Sequence, residues 1–128
     1  EVRYEETDVD DAELVIVAFG TAGRVAKSAV KQLRQQNHAV GLFRPVTLWP
    51  YPEKRLAELA DQSRAFLVVE MNAGQMLHDV RAAVGRQVDV SFLGKPGGAV
   101  PLPGEIIEKA RAICRQLTVV AAHATAND

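Results

Sequence analysis

At 128 residues the chain is one domain's worth of polypeptide, 48% hydrophobic and 24% charged, a balance that suits a single packed core and excludes a disordered segment. Fifteen Lys and Arg against sixteen Asp and Glu leave a net charge of −1, and no basic stripe interleaves with aromatics, so nucleic acid is not expected as the main partner. No apolar run is long enough to span a bilayer and no signal peptide is visible, so no membrane partner and a cytoplasmic location are expected.

The first residue is Glu1 rather than Met, the opening stretch EVRYEETDVDDAE is polar and acidic, and the last residues, HATAND, are polar as well. These features suggest a single domain, residues 1–128, that is a fragment of a longer polypeptide. Within the opening, VRYEE can add an antiparallel edge strand. LVIVAFG (Leu14–Gly20) is a continuous apolar run, the pattern of a strand buried on both faces of a parallel sheet. In TAGRVAKSAVKQLRQQN, Val25, Ala26, Ala29, Val30 and Leu33 fall on one helical face, with Arg24, Lys27, Lys31 and Arg34 opposite. Asn37 is a suitable C-terminal stop. AVGLF predicts the next strand, and Pro50 and Pro52 precede a short helix from about Glu53 to Asp61 with Leu56 and Leu59 inward. AFLVVEMN reads as a third buried strand and GQMLHDVRAAVG as a helix burying Met76, Leu77, Val80 and Val84. VDVSF alternates and predicts a strand near an edge. After the loop KPGGAVPLPG, EIIEKARAICRQL predicts an amphipathic helix with Ile106, Ile107, Ala110, Ile113, Cys114 and Leu117 on its apolar side. Strands alternating with helices predict a mostly parallel α/β sheet covered on both faces.

In such sheets ligands gather where the strands end. FGTAGRVA follows a strand and opens a helix, but its spacing is G-x-x-G rather than G-x-G-x-x-G. The second strand also ends in Arg44–Pro45 rather than an acidic residue. A tight turn, with Gly20 and Gly23 letting helix and strand approach, is the preferred reading; an anion at the free N–H groups near Gly20 and Thr21 is the alternative. Glu70, Asn72 and Gln75 surround a strand-to-helix turn, where they orient a ligand or cap the helix and tie the loops together. Lys95 in GKPGG lacks the following Ser or Thr of a phosphate loop, so a surface loop that meets another subunit is expected. His38, His78 and His123 are scattered, and no metal-ligand spacing is present, so no metal site is expected. Cys114, the one cysteine, excludes an internal disulfide and reads as core rather than nucleophile. Alone it cannot hold an iron–sulfur cluster, which takes about four thiolates.

Four segments in order, AELVIVAFGTAGRVAKSAV, GLFRPVTLWPYP, FLVVEMNAGQM and GKPGGAVPLPGEI, resemble the alpha subunit of 2-oxoacid:ferredoxin oxidoreductases. The resemblance is nearest to the 2-oxoglutarate or branched-chain type, in the C-terminal domain that is similar to the transketolase C-terminal domain. It runs from about Glu13 to Leu117, with Tyr51 where the family often has Phe between prolines. It implies a three-layer α/β/α domain with a five-stranded, mostly parallel sheet and an antiparallel first strand. It also implies a parent complex that decarboxylates a 2-oxoacid on thiamine diphosphate with magnesium. Electrons then pass through an iron–sulfur cluster to ferredoxin, and coenzyme A takes the acyl group. The implied partners are the other domains of the alpha subunit, the beta subunit and, through the complex, ferredoxin. The chain has no GDG…N diphosphate–magnesium motif, so it is expected to carry no cofactor and no catalytic residue of its own and to be inactive alone. Pro45, Pro50 and Pro52 stiffen the segment around Trp49. Trp49 either docks a neighbouring domain or caps the domain's own core. The candidate interface or ligand-facing residues are therefore Gly20, Thr21, Arg44, Trp49, Glu70, Asn72, Gln75 and Lys95. The alternative function is a stand-alone α/β module that binds a small anion or regulatory ligand at GTAG.

Overall fold

A computed structural model describes residues 2–46, 51–71, 74–86, 88–95, 97 and 99–126. The strands are β1 (Tyr4–Thr7), β2 (Leu14–Ala18), β3 (Val40–Pro45), β4 (Ala65–Glu70) and β5 (Asp89–Gly94). The helices are α1 (Thr21–Gln35), α2 (Glu53–Gln62), α3 (Gln75–Val84) and α4 (Pro103–Ala126). The sheet order is β1-β3-β2-β4-β5, with β1 antiparallel to β3 and every other pair parallel.

The apolar runs decide the order. β2 and β4 are buried at every position and lie at the centre, whereas β1 and β5, which carry polar residues, form the edges. Alternate residues of the central strands feed two cores. Leu14, Ile16, Leu42 and Leu67 pack with Ala26, Leu33, Ile106 and Ala110 under α1 and α4. Val15, Val17, Phe43, Phe66 and Val68 pack with Leu56, Leu59 and Val80 under α2 and α3. The result is a three-layer α/β/α arrangement.

Helix α1 ends as its sequence suggests. Asn37 takes φ +67, its N–H bonds the Arg34 carbonyl at 3.0 Å, and the His38 N–H reaches the Leu33 carbonyl at 3.0 Å. That pair of bonds is a Schellman stop with Asn in the left-handed position. The polar strand β1 is held by side chains on both faces. The Tyr4 ring stacks on Phe43 at 5.0 Å, Glu6 pairs with Arg55 of α2, and Glu5 pairs with Arg44 of β3.

Two expectations change. The last helix does not stop at Leu117 but continues to Ala126, because TVVAAHATA holds no Gly or Pro and its four Ala favour the helix. The Thr118 hydroxyl donates back to the Cys114 carbonyl at 3.1 Å, which satisfies the polar side chain inside the helix. Cys114 is half-buried rather than buried, packed against the margin of the α1–α4 core. Burial, and then the charge of Glu13, push its thiol up from the usual range. Thiolate is thereby disfavoured, and labelling of the native chain by a thiol reagent at neutral pH is expected to run about tenfold slower than in denaturant. Equal rates in the two states would show Cys114 to be open. Among the described residues no helix is long and apolar enough to cross a membrane.

Candidate functional site

The chain leaves β2 through α1 toward β3 on one side, and leaves β4 through α3 toward β5 on the other. Between β2 and β4 the strand order therefore reverses, and diverging connections open a crevice at the carboxyl ends of the strands. A cavity of about 490 Å³ lies there. Phe19, Gly20 and Thr21 line it from the exit of β2. Glu70, Met71, Gln75, Met76 and Asp79 line it from β4 and α3.

Each polar group has a local cause. Glu70 ends an otherwise apolar strand and is only 8% exposed. Its Oε1 accepts the Met76 N–H at 3.1 Å and its Oε2 accepts the Leu77 N–H at 3.0 Å. Residue Gly74, at φ +90, occupies the N-cap position of α3 and has no side chain to offer, so a carboxylate from the preceding strand satisfies two of the open donors. The capping half of the expectation for Glu70 thus matches its geometry. At α1, Gly20 has φ +63, and the helix has no side-chain cap and no acidic residue in its first turn. The Gly23 N–H is taken by the Gly20 carbonyl at 3.0 Å.

Arg44 pairs with Glu5 at 3.5 Å and donates to the Gly20 carbonyl at 3.3 Å. Its side chain fills the space where a Cβ on Gly23 would sit, at 2.6 Å from Nε. Gly23 therefore lets α1 lie against β3 by making room for the Arg44 side chain. Lys95 pairs with Glu105 at 2.8 Å, and Glu105 also accepts the Leu102 N–H at 2.8 Å, which ties the loop after β5 to the start of α4. Of the eight candidates, then, Gly20, Thr21, Glu70 and Gln75 share one crevice, Arg44 and Lys95 are engaged in ion pairs, and Trp49 and Asn72 lie outside the described residues.

Sequence reasoning missed Phe19, Met71, Met76 and Asp79 as crevice residues. Phe19 carried a signal: it is the last apolar residue before the Gly20 turn, and at 41% exposure it is a large hydrophobic side chain left open at a strand end. Tyr51 was missed as well. Its hydroxyl is buried with no hydrogen-bond partner among the described residues. Burial raises its pKa far above the ordinary phenol range, and the charges of Asp79 and Glu70 push the same way. Among the described residues no group of three or more His, Cys, Asp or Glu side chains is placed to hold a metal ion.

Solved structures share this architecture. The 2-oxoglutarate:ferredoxin oxidoreductase from Magnetococcus marinus, with 2-oxoglutarate, coenzyme A and succinyl-CoA bound, superposes with a TM-score of 0.76 at 23% identity, covering 88% of this chain and 20% of that one. A split-gene transketolase, an inactive β4 tetramer, gives 0.65 at 17% identity, over 84% of this chain and 40% of that one. The likeness defines a transketolase-like α/β domain. Residues 12–106 match the pyruvate:ferredoxin oxidoreductase core domain II family, and the chain belongs to that family. Among its relatives is the ketoisovalerate oxidoreductase subunit VorB of Methanothermobacter thermautotrophicus, 48% identical over 113 residues, 88% of this chain and 32% of that protein. The 2-oxoglutarate synthase subunit KorA of Methanothermobacter marburgensis is 38% identical over 100 residues, 78% of this chain and 27% of that protein. The chain thus spans about a third of the length of these curated relatives. The resemblance to 2-oxoacid:ferredoxin oxidoreductases holds, and both the branched-chain and the 2-oxoglutarate type are represented, the ketoisovalerate subunit being the more similar of these two.

Proposed function

We propose that this chain is a non-catalytic assembly domain of a thiamine-diphosphate-dependent 2-oxoacid:ferredoxin oxidoreductase, working in the cytoplasm. The parent would decarboxylate a 2-oxoacid oxidatively, pass the electrons to ferredoxin and release an acyl-CoA. The observation that carries this reading is the family match over residues 12–106, joined to relatives that are subunits of a ketoisovalerate oxidoreductase and a 2-oxoglutarate synthase. Both a branched and a dicarboxylic 2-oxoacid are represented, so the substrate is proposed only as a 2-oxoacid.

The residues present do not fit the cofactor itself. A diphosphate with its magnesium needs free carboxylates for the metal and donors for the phosphate oxygens, whereas Glu70 is already taken by the Met76 and Leu77 N–H groups and no Lys, Arg or His among the described residues lines the crevice. One cysteine cannot ligate an iron–sulfur cluster. The chain's contribution is a stiff strand-end surface against which the other domains of the alpha subunit and a beta subunit close. The anion-module alternative draws on the uncapped start of α1, but two carboxylates across the same crevice oppose an anion more strongly than a helix end attracts one.

Two measurements test this reading. Calorimetry of the 128-residue chain with thiamine diphosphate and magnesium is expected to show no binding; micromolar affinity would overturn it. Trp49→Ala in the full-length subunit is expected to raise the dissociation constant for the beta subunit about tenfold or more, as loss of a docking aromatic does. The same change should leave the melting temperature of the 128-residue chain nearly unchanged. Unfolding of the domain with unchanged assembly of the surviving protein would make Trp49 a core residue.

A further inference from the structure

We propose that the crevice between β2 and β4 receives a monocation on an aliphatic stem, supplied by a Lys or Arg side chain of the polypeptide that docks on this end of the sheet. The inference rests on the assembly reading above and gives that surface a specific recognition element. At about 490 Å³ the cavity is larger than one side chain needs and falls within the range of built ligand sites.

The charges around the cavity select the sign. Glu70 and Asp79 each bring a carboxylate, and no cationic side chain lines the cavity among the described residues. Two helix starts oppose them, each worth roughly half a positive charge: α3, whose amides already hold Glu70, and α1 at Thr21. Two full charges less two halves leave about one negative charge, which a single ammonium or guanidinium neutralises. Arg44, which reaches the Gly20 carbonyl at the edge of the cavity, is engaged by Glu5. Asp79 is exposed, has no ion-pair partner among the described residues and is free to meet an incoming charge.

The walls select the stem. Met71 and Met76 line the cavity beside the carboxylates, and Phe19 stands half-exposed at the exit of β2. Long basic side chains lay their methylenes along apolar surface while the head group seeks charge. An aromatic ring near the path adds attraction for the same head group. A carboxylate or phosphate ligand gains nothing from this combination.

The test uses n-butylguanidinium as the probe and butyrate as its anionic counterpart, titrated into the ¹⁵N-labelled 128-residue chain at low ionic strength. Saturable shifts are expected for the amides of Gly20, Thr21, Met71, Gln75 and Met76 with the cation, and none with butyrate. Asp79→Asn is expected to weaken the cation about threefold, the size of one exposed ion pair. Butyrate binding as well as the cation, or an affinity untouched by Asp79→Asn, would overturn the charge argument. The full-length subunit in its complex is expected to give no saturable response, because the crevice is already filled. Binding there equal to that of the isolated chain would overturn the side-chain occupant and leave a free amine as the ligand; the Trp49→Ala measurement judges the assembly reading separately.

Discussion

Replacing Gly41 by alanine is expected to cost about 3 kcal/mol of unfolding free energy, at the upper end for an overpacked interior site. The cause lies in the strand order. β1 and β2 are consecutive in the chain but flank β3, so their connection must step across β3. It crosses at Gly41, which pairs with Val15 of β2. A Cβ there would lie 2.6 Å from the Asp8 carbonyl oxygen and 2.9 Å from the Val9 Cα. These are main-chain atoms, and no rotamer change clears them. The crossing is also fixed from above. Asp8 has φ +56, Val9 is buried, and the Arg34 guanidinium donates to the Asp8 carbonyl at 2.7 Å, the Val40 carbonyl at 2.8 Å and the Asp11 carboxylate. The melting temperature should fall by about 10 °C, with the denaturant m-value unchanged. Gly104, with nothing within 4 Å of its Cβ position, is the internal control; Gly104→Ala is expected to be neutral or stabilising by about 0.5 kcal/mol. Similar behaviour of the two variants would contradict the crossing geometry.

The second large effect is expected at Glu70. Glu70→Ala removes both acceptors of the α3 start and strands the buried Met76 N–H, a loss of about 2–3 kcal/mol for charge-assisted bonds. Glu70→Gln keeps one acceptor oxygen and should lose about 1 kcal/mol. The order Ala worse than Gln, read from denaturant midpoints, separates capping from a purely electrostatic role. If Gln and Ala cost the same, the carboxylate acts by its charge alone. If neither costs anything, α3 does not depend on Glu70.

The sequence spoke most clearly where burial is two-sided. Leu14–Ala18 and Ala65–Glu70 read as central strands because only a covered parallel sheet accepts such unbroken apolar runs, and both are central. Strand β1 was legible only as a polar segment of the right length; its place beside β3 depends on Arg44, Arg55 and Phe43, three partners that periodicity does not reveal. At the crevice, the strand-end rule located Gly20, Thr21, Glu70 and Gln75, because parallel strands bring their carboxyl ends together. It did not find Asp79, which sits one turn into α3 and looks like a solvated helix residue. Nor did it find that Arg44 is claimed by Glu5, since cross-strand register decides that pairing and register is a long-range fact.

Helix α4 has a length that its support does not match. Its 24 residues extend about 36 Å, while a six-residue strand beneath it extends about 20 Å. Leu117 is its last buried side chain among the described ones, and every residue from Thr118 to His123 is exposed. Nine residues are too few to be stable as an isolated helix, so this end depends on the turns before it. The first half of α4 therefore shares the cooperative opening of the whole core, whereas its far end can open alone and expose no core when it does. Hydrogen exchange along this one continuous helix would then fall into two classes, with the step near Leu117.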